Sequence, residues 1–244
     1  DMPVLFCVMS RPHPLFDIDL SELDHERRHN LEVPPLTAEE SRRLLGTFID
    51  LEGFPEPTIQ TILTRAEGNP FYIEEFVRML IEQEVLQLRG DQWHAASALA
   101  LENLEFPTSL RGLMLARIDR LPEGLRYLLQ DAAVIGLQFD AALLQMVEHR
   151  IRRQDNIVPM IERLKDLDLL EPRPQAGPGI YAFRHILTQE TIYRSILRNE
   201  RPELHRVVAE SIEQLYDDQL EANAEVLALH YDRKGNRQKA LETV

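Results

Sequence analysis

Ala66-Glu67-Gly68-Asn69-Pro70-Phe71-Tyr72-Ile73-Glu74-Glu75-Phe76 holds a helix stop and a helix start in direct succession. Gly68 suits the left-handed conformation that ends one helix, Asn69 is a good cap for the next, and Pro70 fits the first helical position. Behind the turn Ile73, Phe76, Val77, Leu80 and Ile81 recur at helical spacing, which predicts a helix to about Glu84 with one buried face and Pro70 presented at its tip. Glu74 and Glu75 project about 100° apart on such a helix. That is poor geometry for a general acid/base pair, and a solvated face is expected for both.

Upstream, Thr37-Ala38-Glu39-Glu40 is a capping box opening a helix with Leu44, Leu45, Phe48 and Ile49 on one face, and Ile59, Ile62, Leu63 and Ala66 mark a second. Three short-linked helices predict a small bundle. Further upstream, Val4-Leu5-Phe6-Cys7-Val8-Met9 is an unbroken apolar run of the kind buried on both faces of a parallel sheet. No second such run follows, so its partner strands are expected before Asp1, in a longer protein. His29 to Val33 suggests one further short strand.

Downstream, Gln87 to His94 predicts a hairpin about Gly90-Asp91. Periodic apolar positions then mark helices around Leu110–Leu121, with Arg117 among them, then Leu125–Ala133, a third opened by Asp140, and Ile157–Leu167. Leu169-Leu170-Glu171 and Ile180-Tyr181-Ala182-Phe183 flank a Pro/Gly loop and predict a two-stranded wing. Helices follow from Ile186 and from Leu204. Tyr231, Gly235 and Ala240 have the offsets of a tetratricopeptide unit, of which about three copies of about 34 residues are needed for stability.

With 27 basic and 41 acidic residues the net charge is −14, which argues against gripping nucleic acid or an anionic membrane through a bulk field. A lone cysteine excludes a disulfide framework and suits a reducing cytoplasm. No apolar run reaches the ~18 residues of a membrane span. The histidines show no zinc spacing, and the sequence contains no GxxxxGK[ST] phosphate loop, no aliphatic run ending in paired acids and no GxSxG elbow. No catalytic residue and no metal ligand is therefore expected within residues 1–244.

The Gly-Asn-Pro-Phe wording resembles the GxP motif in the helical lid of STAND-type signalling ATPases, relatives of the AAA+ enzymes. Three further stretches resemble the same family. Ser10-Arg11-Pro12 looks like the end of its last core strand, Pro107-Thr108-Ser109-Leu110-Arg111 like the opening of its winged helix, and Phe183-Arg184-His185-Ile186-Leu187 like its MHD motif, with Ile186 where that motif has Asp. The resemblance implies a mainly α fold: a terminal core strand and connector (1–35), a helical lid (36–96), a winged-helix domain (97–199), and a helical linker with the start of a tetratricopeptide α-solenoid (200–244). One orphan strand would belong to an upstream α/β core.

It also implies a function. Arg11 would sense the phosphates, Asn69, Pro70 and Phe71 would pack on the adenine, and His185 would reach the ADP phosphates. ATP or ADP with Mg would be held by the intact protein and not tightly by this stretch alone. The partners would be the upstream phosphate-loop core, the downstream repeat array and a protein ligand at the repeats. The output end would be a nucleotide cyclase, such as an adenylate cyclase, or a LuxR-type DNA-binding domain. The alternative is a winged-helix transcription regulator that reads DNA directly. Residues 107–200 carry 13 basic and 12 acidic side chains, 13 − 12 = +1, with Arg150, Arg152 and Arg153 the densest cluster, a weak excess for phosphate contact.

Overall fold

The structure, a computed structural model, describes residues 7, 29, 31–97 and 106–235. The apolar run at 4–9 and Arg11 lie outside the described residues, Cys7 apart, as does Ala240. Cys7 is exposed. The protein is mainly α, and the described residues form ten α-helices and five short strands. Residues 29 and 31–33 carry no strand, against expectation.

Three helices and a hairpin form the first group: α1 (Ala38–Phe48), α2 (Glu56–Ala66), α3 (Pro70–Glu82), β1 (Leu86–Arg89) and β2 (Gln92–Ala95). The capping box is in place, with the Glu40 N–H donating to Thr37 Oγ1 at 3.2 Å and the Thr37 N–H donating to Glu40 Oε2 at 2.8 Å. The hairpin belongs to the bundle because the Asp50 N–H donates to the Trp93 carbonyl at 2.8 Å, just past the end of α1. Leu45, Ile59, Ile62, Ile73, Phe76 and Leu80 fill a common core, which Leu113 enters from the next helix.

The second group comprises α4 (Leu110–Asp119), α5 (Glu123–Ile135), β3 (Gln138–Asp140), α6 (Ala141–Arg152), α7 (Val158–Asp166), β4 (Leu170–Pro172), β5 (Ile180–Phe183) and α8 (Ile186–Ser195). β5 lies between β3 and β4, antiparallel to both, with Phe139 opposite Tyr181 and Glu171 opposite Ala182. The hairpin expected about the Pro/Gly loop is β4–β5, and the sheet is three-stranded because β3, a three-residue strand ending at the Asp140 cap and not foreseen from the sequence, pairs with β5. Leu128, Leu129, Phe139, Leu144, Leu164 and Phe183 make this core. α9 (Arg201–Leu215) and α10 (Ala224–Lys234) pack through Val208, Ile212, Leu227 and Tyr231 onto Val134 and Val147.

Candidate functional site

The turn that opens α3 forms for the reasons its residues suggest. Glu67 and Gly68 both take positive φ, 49° and 74°, ending α2. Glycine tolerates this freely, whereas Glu67 is a side-chain-bearing residue held there. The Asn69 N–H returns to the Ala66 carbonyl at 2.8 Å, and Asn69 Oδ1 accepts the Phe71 N–H at 3.0 Å. Asn69 and Pro70 are exposed at the tip and Phe71 is half-buried.

Beyond β5 the chain places His185 one residue before α8, with extended backbone (φ −133°, ψ 136°) and no side-chain capping bond. Its carbonyl accepts the Thr188 N–H at 3.0 Å, so the backbone starts the helix while the ring is free to turn elsewhere. It turns onto Phe71: the ring centroids are 3.9 Å apart at 45°. The structure thus brings Asn69, Pro70, Phe71 and His185 into one place from two distant stretches. Burial lowers the His185 pKa, Glu75 and Glu74 pull it back up, and Arg184 and Arg78 add to the lowering. The imidazole is therefore neutral at neutral pH, able to accept as well as donate.

Beneath this pair runs a polar seam that the sequence reading missed. Glu75 is buried (5% exposed), which corrects the solvated face expected for it. Its partner is Arg117 (4% exposed). The Arg117 guanidinium reaches Glu75 at 2.8 Å, Glu82 at 2.7 Å and the Leu167 carbonyl. Arg78 lies 3.5 Å from Glu75 and also bonds Asp168, which Arg184 bonds from the other side. Burial pushes the Asp168 carboxyl upward, but Arg78, with Arg184 and Arg117, outweighs it and holds the pKa below the usual carboxylate range. One signal was available in the sequence: Arg117 occupies an apolar-face position of α4. A long cation in an apolar stripe needs a buried partner.

A second buried cluster lies away from this site. Tyr193 Oη is 2.9 Å from His205 Nε2, and His205 Nδ1 is 2.7 Å from His230 Nδ1. The guanidinium groups of Arg201 and Arg233 stand 4.9 and 5.4 Å from the Tyr193 ring centre. Among the described residues no group of three or more His, Cys, Asp or Glu is arranged to hold a metal, and no helix is long and apolar enough to cross a membrane.

Residues 37–93 match a family described as a domain of unknown function (DUF8739). That span runs from the α1 cap to Trp93 in β2, so it takes in the three helices, β1 and the start of β2. The chain is also similar to an uncharacterized protein, R02095, of Rhizobium meliloti (strain 1021), being 26% identical over 249 residues. That match takes in 98% of the chain, and the chain spans 22% of the length of the relative.

Proposed function

We propose that this chain is the regulatory region of a STAND-type signalling ATPase, in which a helical lid and a winged helix close on a nucleotide held mainly by an upstream phosphate-loop core. The observation that carries the reading is the Phe71–His185 contact at 3.9 Å, since it joins the two stretches that resemble the family's adenine-side and phosphate-side motifs. The order helix, strand, helix, helix, hairpin, with β5 central, supports a winged helix. On this reading the exposed Pro70 packs on the adenine, Arg11 senses the phosphates, and the intact cytoplasmic protein uses ATP or ADP with Mg. The site then couples the nucleotide state to an output domain beyond a repeat array.

The chemistry of His185 follows from its surroundings. A neutral ring beside a phosphate forms a hydrogen bond with a net contribution of about 0.5–1.5 kcal/mol; a ring that takes up a proton contributes about 1.5–3 kcal/mol. The anion itself favours the protonated form. Nucleotide retention by the intact protein should therefore weaken as pH rises through neutrality. His185→Ala should loosen ADP by about 10- to 150-fold, the charged-bond figure expressed as a ratio, and raise basal output. If ADP retention and basal output of the intact protein are unchanged while residues 1–244 lose stability, His185 is a structural residue and the reading fails at this site.

The direct DNA-reading alternative is weakened by where the basic cluster spends its charge. Arg152 pairs with the buried Asp131 and with Glu148, and Arg150 lies 3.6 Å from Glu210 and also bonds Gln214. Two of the three arginines are thus neutralised within the molecule.

A further inference from the structure

Three side chains of α3, Glu75, Arg78 and Glu82, lie on one stripe of the helix, at spacings of three and seven residues. All three turn toward the second group. Arg117 on α4 meets Glu75 at 2.8 Å and Glu82 at 2.7 Å, and its remaining nitrogen donates to the Leu167 carbonyl. Leu167 and Asp168 form the turn between α7 and β4, where Asp168 takes a left-handed φ of 55° and its N–H donates to the Lys165 carbonyl at 2.8 Å. That turn aims one carbonyl at Arg117 of α4 and one carboxylate at Arg78 of α3. Asp168 in turn bonds Arg184, the neighbour of His185.

A buried ion pair is a weak source of net stability, because well-packed apolar residues of the same volume often do as well or better. It does fix geometry. The guanidinium is a planar fork with donors at set angles, so three acceptors, two on α3 and one in the Leu167–Asp168 turn, satisfy it in one arrangement only. Sliding α3 by one helical turn, about 5.4 Å, would strand Arg117 and Glu75 unpaired in the interior. An apolar seam would carry no such penalty.

We propose that Arg117 is a positioning residue that sets how the three-helix bundle docks on the sheet-bearing group and so holds Phe71 against His185. It reaches Phe71 through Glu75, one turn further along the same face of α3. It reaches His185 through the Leu167–Asp168 turn and Arg184. Both halves of the ring pair are therefore governed by one guanidinium, whatever ligand the pair serves.

The test is Arg117→Met, which keeps volume and removes the fork. The His185 titration would be followed by NMR, and amide exchange measured at Asn69, Phe71 and residues 184–186. The groups facing that ring are Glu74, Glu75, Arg78 and Arg184. The expected result is native circular dichroism, a His185 pKa that rises toward 6.5 as the ring separates from Phe71, and exchange at least tenfold faster at those residues but not within α5. Arg117→Lys, a point charge that cannot span three acceptors, should fall between. Native His185 titration and native exchange in a folded Arg117→Met protein would reduce Arg117 to a packing residue and overturn the proposal. Should Arg117→Met fail to fold, Glu82→Gln combined with Asp168→Asn neutralises the two more exposed carboxylates of the seam, one bonded to Arg117 and the other to Arg78 and Arg184. The same rise at His185 is expected there, and its absence overturns the proposal equally.

Discussion

Asn69 and His185 each stand one residue before a helix, and only one of them caps it. Asn69 satisfies an orphan N–H of α3, a service lost at a cost of about 1 kcal/mol when such a residue becomes Ala. His185 leaves the α8 N–H groups to other partners because burial against Phe71 turns its ring away. The buried pair His205–His230 shows the same dependence on surroundings. Burial, then the neighbouring His230, Arg233 and Arg201 charges, brings His205 to about 3; burial and Arg233 bring His230 to about 4. One Nδ1 must donate to the other, so the accepting ring is neutral, and the lowered pKa values keep both rings neutral near neutral pH. A histidine whose folded pKa lies below its unfolded value of about 6.5 binds fewer protons folded than unfolded in the window between them, so stability is full above 6.5 and falls as pH drops through it. Urea midpoints should decline steadily from pH 6.5 to 4.5. His205→Leu/His230→Leu should flatten that decline, and an identical slope in the double variant would show that the acid lability arises elsewhere.

Between elements, the seam of α5 and α6 carries the opposite sign. Asp131 and Glu148 are both 1% exposed and share Arg152. Burial and then the Asp131 charge push Glu148 up to about 7, with Arg152 pulling back, and burial also raises Asp131. The folded pair keeps a proton that the unfolded chain gives up near 4.5, so this pair's contribution falls as pH rises from about 4.5 through 7. Glu148→Gln fixes the neutral state. It should match the wild type at pH 5 and exceed it at pH 8 by on the order of 1 kcal/mol, after allowance for screening through the half-open Arg152. Equal midpoints at pH 8 would mean that both carboxylates ionise without cost. Nothing periodic in the sequence marks Asp131 or Glu148, because each sits on the inner face of a helix whose apolar neighbours set the pattern. Their burial follows from Arg152 arriving from the end of α6. The three residues of β3 were equally silent, since a strand that short carries no alternation and owes its existence to pairing with β5.

At the scale of the whole molecule, the helices were legible because 3.6-residue periodicity and caps such as Thr37, Asn69 and Asp140 are local signals. The contact between Phe71 and His185 was not, since it depends on how two groups dock and that is decided by Arg117, Glu75 and Asp168 together. The family resemblance named both residues separately; only the fold puts them ring to ring. The same docking bears on partners. On the winged-helix alternative α7 would be the helix offered to a groove, yet it carries Glu162, Arg163, Lys165 and Asp166, with Lys165 bonded to Glu162 at 2.6 Å. Duplex DNA affinity scales with the number of phosphates met by free cations, each adding about 0.9 to the salt slope. Here the local charges cancel, Arg150 and Arg152 are already paired, and the net charge of −14 repels the polyanion at long range. Residues 1–244 should therefore give no gel shift of a 30-base-pair duplex at low micromolar protein and about 0.15 M salt. A shift that is lost in Arg153→Ala, the arginine left exposed at the end of α6, would instead favour the DNA-reading alternative and set the nucleotide reading aside.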